Sequence, residues 1–204
     1  MFDSLWLVHP DDEMCAAFRG RFAGLRNVSV VRGRFEDLGP HDCFVTAGNS
    51  FGIMTAGIDA AVVRRFGDRL MRQVQHRVMN DYFGEQPVGT AFLVPTGDPT
   101  LPFVCHAPTM RVPGNIDGTD KVYAATWAAL LAVAAHNRTS PERMEVVAMP
   151  AMGTGFGGVP FDEAARQMAA AYRHLWEPPH RLDWDFVVER HRAVCYDGNR
   201  QVAR

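Results

Sequence analysis

The stretch from Cys43 to Asp59, CFVTAGNSFGIMTAGID, carries the residue types from which a site can be built. A buried apolar strand over residues 44–47, a glycine-bearing bend over 48–57 and a segment of helical spacing over 60–66 follow one another directly. A glycine-rich turn that opens a helix points free backbone N–H groups and the positive end of the helix dipole into the loop, which favours phosphate oxygens. Asn49 and Asp59 stand at its two ends. Asn49 offers an acceptor and donors suited to sugar hydroxyls, or holds the loop by an Asx-turn. Asp59 is either a general base or a first-turn acid favoured by the dipole. Ser50 adds a hydroxyl.

A second run, Gly153-Thr154-Gly155-Phe156-Gly157-Gly158, again falls between a strand and a helix. One such loop is as readily a turn that needs positive φ as a binding loop, but two of them can clamp a diphosphate. The run also fits Gly-x-Gly-x-x-Gly. A dinucleotide-binding unit needs that pattern on its first strand, with a further βαβ unit and an acidic residue to follow, and the chain after Gly158 is short for that. His106, inside the apolar run VCHAP, reads as a hydrogen-bonded structural residue rather than a base. Arg111 lies in a loop, where a solvated guanidinium is the ordinary state.

The elements that must position these loops alternate. Strands are expected at 4–9, 28–32, 44–47, 89–95, 103–107 and 145–150, and helices at 11–23, 59–82 (divided near Gly67), 119–137 and 160–176. Residues 108–118, with two prolines and two glycines, form an ordered excursion. The apolar fragments 185–188 and 193–196 suggest an edge strand. Alternation of this kind implies a layered α/β domain, its mainly parallel sheet covered on both faces and its ligand loops at the carboxyl ends of the strands.

Composition narrows the function. The chain has 204 residues, suited to one domain over 1–204, and a formal net charge of −2, without the basic field that drives non-specific nucleic-acid binding. Lys121 is the one lysine, so no phosphate-loop lysine accompanies either glycine run. Cys15, Cys43, Cys105 and Cys195 lack paired metal spacing and read as reduced thiols; no metal and no cofactor are expected. With no apolar run long enough for a leader or a span, we expect a cytoplasmic monomer that engages neither membrane nor nucleic acid. The arginine and alanine bias suits a GC-rich bacterial genome.

Val45 to Asn49 and Gly57-Ile58-Asp59 resemble two pieces of the macro domain: a strand ending in an Asn-Ala-Ala-Asn-like run, and a glycine-rich loop closing on Gly-Val-Asp at a helix start. Thr46 stands where the family usually has its first Asn. The second loop is similar to the family's Ser-Thr-Gly, apolar, aromatic, Gly piece at Thr154, Gly155 and Gly158, with Gly157 in the aromatic's place and Phe156 before it. The resemblance, which makes this a divergent, macro-like branch, runs from about residue 28 to 176. It implies a three-layer α/β/α sandwich with a mixed central sheet that binds ADP-ribose or an ADP-ribosylated substrate, sometimes with hydrolysis at the distal ribose. On that footing Asp59 orients or deprotonates the attacking water and Asn49 contacts the distal ribose. Gly57, Ile58, Gly153, Thr154, Gly155, Phe156 and Gly157 hold the diphosphate, chiefly by backbone amides. The family's adenine-reading Asp has no counterpart in Gly33-Arg34-Phe35; Asp37 or Glu36 can substitute, or Phe35 or Arg34 can stack, or these are ordinary surface charges. A non-catalytic ADP-ribose reader, an ADP-ribose 1″-phosphate phosphatase and, more distantly, a nicotinamide oxidoreductase are the alternatives to a de-ADP-ribosylating hydrolase.

Overall fold

A computed structural model describes residues 1–196. Six strands, β1 (Ser4–His9), β2 (Val28–Arg32), β3 (Cys43–Thr46), β4 (Phe92–Asp98), β5 (Leu101–His106) and β6 (Val146–Pro150), form one sheet in the order β2-β1-β6-β3-β5-β4. Neighbours run parallel except β4, which joins β5 antiparallel through a tight turn and leaves the sheet mixed. Six helices, α1 (Asp12–Arg21), α2 (Gly57–Phe66), α3 (Asp68–Asp81), α4 (Lys121–Thr139), α5 (Phe161–Trp176) and α6 (Trp184–Val194), complete it.

The pleat sorts the strand side chains between two cores. Leu5, Leu7, Cys43, Val45, Cys105, Val147 and Met149 face α1, α4 and α5, whereas Val8, Phe44, Val104 and Ala148 face α2 and α3. Central strands buried on both faces explain why β3 and β6 read as unbroken apolar runs rather than alternating ones. The alanine-rich α4 and α5 pack against each other, Ala125, Ala129, Ala164, Ala165 and Ala171 being almost wholly buried. Gly67, at φ 76°, separates α2 from α3, as its place in the sequence suggested.

The expected edge strand near the C-terminus is a helix instead. Asp183 caps α6 by accepting a hydrogen bond from the Phe186 amide at 2.9 Å, and the same aspartate starts the helical turn that displaces any strand. The helix is anchored to α5 by Arg166, which donates to the carbonyls of Ala193 and Cys195 at 2.7 and 2.8 Å while pairing with Glu163 at 2.6 Å. The last part of the expected strand, Tyr196, is at the limit of the described residues.

β6 sits between β1 and β3, so the chain leaves the middle of the sheet in opposite directions on its two sides. That arrangement opens a crevice above the carboxyl ends of β1, β6 and β3. Removing the α6 anchor should not disturb it: Arg166→Ala is expected to lower stability by on the order of 2 kcal/mol and to speed amide exchange across α6, with the sheet amides unchanged, as hydrogen-exchange mass spectrometry would resolve.

Candidate functional site

A cavity of about 490 Å³ fills this crevice, and both glycine loops line it. The first leaves β3 at Thr46. Gly48 is required there because a Cβ would lie 2.4 Å from His106 Nε2 and 3.3 Å from Asp59 Oδ2. Asn49 then turns the loop on itself: its Oδ1 accepts from the amides of Phe51 and Ile53 at 3.1 and 3.3 Å, and its Nδ2 donates to the Ile53 carbonyl at 2.8 Å. The Asx-turn role is therefore present, while Asn49 also lines the cavity and keeps a second Nδ2 hydrogen for a ligand. Ser50 is not among the lining residues. It is buried, its amide donating to the Met110 and Arg111 carbonyls and its own carbonyl accepting from Gln86.

α2 starts without a side-chain cap, since Ala56 occupies the capping position. Among the described residues, no acceptor is found for the amides of Gly57, Ile58 and Asp59, which open toward the cavity as the free donors of a helix start. The second loop does the same by a different route. Val159 N bonds the Gly153 carbonyl at 3.2 Å and Gly158 N the Gly155 carbonyl at 3.0 Å, closing the loop and leaving the amides of 154–157 without a backbone acceptor among the described residues. Successive unmet N–H groups of this kind form an anion cradle. Its shape demands glycine at 157, where a Cβ would lie 2.3 Å from the Gly153 oxygen. The aromatic that cannot stand at 157 stands at Phe156, which is 63% exposed and lines the cavity rather than the core.

Asp59 faces this space from the first turn of α2. The residue is 5% exposed and its Oδ1 has no hydrogen-bond partner. Burial pushes its carboxyl up to about 7, with the nearby Thr46 hydroxyl acting in the opposite sense. His106 lies behind it, outside the cavity lining. Its Nδ1 is 2.7 Å from Gln86 Oε1, and burial lowers it to about 4, so it stands as a neutral structural residue. Arg111 is likewise outside, in a bidentate pair with Glu85 at 2.6 and 2.9 Å and over the Phe51 ring.

At the opposite end, Gly33, Arg34, Phe35 and Glu36 form the wall. The Phe35 ring is 2% exposed, with Phe44 at 4.5 Å and the Arg65 guanidinium over it, so much of its stacking surface is already taken. Asp37 caps the 3-10 turn over Phe35–Asp37 by accepting from the Arg34 amide at 2.9 Å, and Glu36 pairs with Arg64 at 3.0 Å. Neither presents a free carboxylate. Sequence reasoning passed over His9, Pro10, Thr109, Met110 and Val112, which also line the cavity. The signal for them was available: each follows or ends a parallel strand at its carboxyl end, where such sheets collect their ligand residues. His9 is half-buried, its Nδ1 accepting from the Asp11 amide at 3.2 Å, which leaves Nε2 as the protonated nitrogen. Among the described residues no group of three or more His, Cys, Asp or Glu is placed to hold a metal ion, and no helix is long and apolar enough to cross a membrane.

Comparison with known proteins gives the family to which this crevice belongs. The model of the Macro domain family matches residues 45–168, which include both loops and Asp59. The chain belongs to the macro domain family. A protein of Aquifex aeolicus is 34% identical over 147 residues, which are 72% of this chain and 81% of the relative. Among solved structures, the macrodomain of Mycobacterium tuberculosis DarG superposes with a TM-score of 0.57 at 21% identity, covering 70% of this chain and 88% of that one. A mutant macrodomain of Oceanobacillus iheyensis with ADPR gives 0.56 at 22% identity, covering 67% of this chain and 72% of that one. These structures carry the fold, and this macro domain shares it.

Burial of Asp59 sets a pH dependence of stability. With its folded value near 7 against 3.8 when exposed, the folded state holds the proton more tightly. The stability this gives is complete below about 3.8 and lost as pH rises through 7, a difference of at most about 4 kcal/mol. Asp59→Asn is therefore expected to raise the melting temperature at pH 8.5 and to lose most of that advantage by pH 5. Thermal unfolding across that range checks it; equal gains at both pH values would show that the carboxyl is not strained by burial.

Proposed function

We propose that this macro domain binds ADP-ribose and hydrolyses ADP-ribosyl linkages at the distal ribose. The observation that carries the reading is the convergence on one cavity of two loops with unmet amides and a buried carboxyl. A volume of about 490 Å³ suits a nucleotide-sized ligand. In this reading the diphosphate lies between the amides of Gly57 and Ile58 and those of Thr154, Gly155, Phe156 and Gly157, with Gly153 turning the chain into the cradle. Dipoles of fixed backbone hold it without a lysine.

The distal ribose then sits between Asn49 and Asp59. A carboxyl poised near neutral pH suits a general base, which must be deprotonated at working pH yet basic enough to take a proton from water. Asp59 in its ionised form would orient a water toward the anomeric carbon and accept its proton as the C–O or C–N bond to the leaving group breaks. Phe156, exposed at the mouth, would cover the sugar from the side that Gly157 leaves bare. Support from the family is that a macrodomain of similar fold is known with ADPR bound.

A reader without turnover is the second reading, and one observation favours it. The Asn49 side chain is largely engaged by its own loop, which reduces what it can do for a substrate. Calorimetric titration with ADP-ribose, ADP and AMP is expected to give affinity falling in that order, with Gly157→Val weakening ADP-ribose by about tenfold or more because the side chain enters the cradle. The two readings part on Asp59→Ala: turnover of an ADP-ribosylated substrate should fall by roughly 100-fold or more with ADP-ribose still bound. Wild-type kcat should rise with pH and level off above about 7, the value to which burial brings this carboxyl. Turnover indifferent to Asp59, or binding indifferent to the distal ribose, contradicts the hydrolase.

A further inference from the structure

Away from the crevice, α3 and β4 enclose a second cavity of about 400 Å³. Arg69, Arg72, Gln73, His76 and Arg77 project into it from α3, spaced so that they share one face of the helix, while Leu70, Val74 and Val78 bury the other in the core. Its floor is β4 from Leu93 to Pro95. Among the described residues β4 is the last strand of the sheet and pairs only with β5, so one edge of its backbone is open.

The groove is basic in a chain that is not. Formal net charge is −2 overall, yet among the described residues no acidic side chain lines this cavity. Arg77 is engaged, paired with Asp81 and placed 4.9 Å over the Phe92 ring, and Arg69 donates to the Thr96 carbonyl at 2.6 Å. Among the described residues Arg72 forms no ion pair. Gln73 Oε1 is buried and has no donor. The groove thus offers positive charge over an apolar floor, beside an open strand edge.

We propose that this groove docks an extended, acidic segment of a partner protein, laid along the open edge of β4. Carboxylates of such a segment meet Arg72 and Arg69, where guanidinium and carboxylate match as forks. Its backbone groups meet the open edge of β4, and alternate apolar side chains cover Leu93 and Pro95, as in strand addition to a sheet edge. An ionised phosphodiester backbone offers acceptors only and leaves the carbonyls of the β4 edge without donors. A second copy of this chain fits worse still, because Pro95 removes a donor from each edge and two arginine stripes would face each other. The assignment is independent of what the crevice binds.

The test uses the full chain labelled with ¹⁵N and a short peptide of alternating glutamate and valine as probe. Saturable amide shifts confined to α3 and β4 are expected, weakened by about tenfold in Arg72→Glu and absent with the matching lysine–valine peptide. Arg72 is exposed, so the reversal should leave thermal unfolding unchanged; should that variant fail to fold, Arg69→Gln takes its place. The proposal is overturned by no saturation at millimolar peptide, by equal response to the lysine peptide, by shifts on the crevice loops instead, or by indifference to Arg72→Glu. It is equally overturned if a single-stranded oligonucleotide of the same charge occupies the groove where the acidic peptide does not.

Discussion

The least comfortable group in this molecule is the Asp59 carboxyl, almost wholly buried with one oxygen unpartnered. A buried acid without a counter-charge normally moves its pKa and becomes neutral, and that is the direction found here. Much of the surrounding chain follows from tolerating it. The helix dipole of α2 is the nearest compensating field, which is why the residue stands in the first turn rather than later. Gly48 is stripped of a side chain so that the carboxyl and the His106 ring can flank it closely. Had His106 carried a charge it would have stabilised the carboxylate; held neutral with Nδ1 on Gln86, it leaves the acid near its transition at physiological pH.

Between Asp59 and the wall that carries Arg34 and Glu36, the two glycine loops offer the crevice chiefly backbone. Where an enzyme rich in lysine would place ammonium groups, this chain places loops whose amides have no acceptor of their own. Such donors are fixed by the fold, carry no side-chain entropy and are indifferent to solution pH. Their weakness is that they are sensitive to any Cβ that closes the loop, as the contacts at Gly153 and Gly157 illustrate. Gly157 is the sharper case. It departs from the family's aromatic because its own position cannot hold a side chain, and the aromatic appears one residue earlier, exposed over the same space.

Much of this was legible in the sequence because the relevant signals were local. Glycine runs between an apolar strand and a helix, an acid at the helix start, and a proline at the head of α5 each declare themselves within a few residues. The mainly parallel sheet follows from the alternation of strands and helices, and its mixed character from the family resemblance. What was not legible depended on neighbours distant in the chain. Ser50 is next to Asn49 yet turns away, because its backbone is claimed by Met110, Arg111 and Gln86. His9 and Met110 reach the cavity only because parallel strands end side by side. In α6 a local signal was present and outweighed: Phe186, Val187 and Val194 have strand-like character, but Asp183 caps a helix and Arg166 secures its end.

On the proposed function, phosphate affinity built from amides also decides how a ligand arrives. With a net charge of −2 there is no long-range positive field to steer an anion, and fixed dipoles fall off faster with distance than charges do. Recognition in the crevice would thus be short-range under the proposed function, a diphosphate being held only once it is seated between both loops. The arginine stripe on α3 has the opposite character, with full charges at the surface that act at a distance and weaken with salt. The two regions meet across α3, where Gly52 of the first loop packs against Val74 on the buried face of the helix whose outer face carries Arg72. A macromolecule engaged through that stripe would be gathered by charge and retained near the crevice.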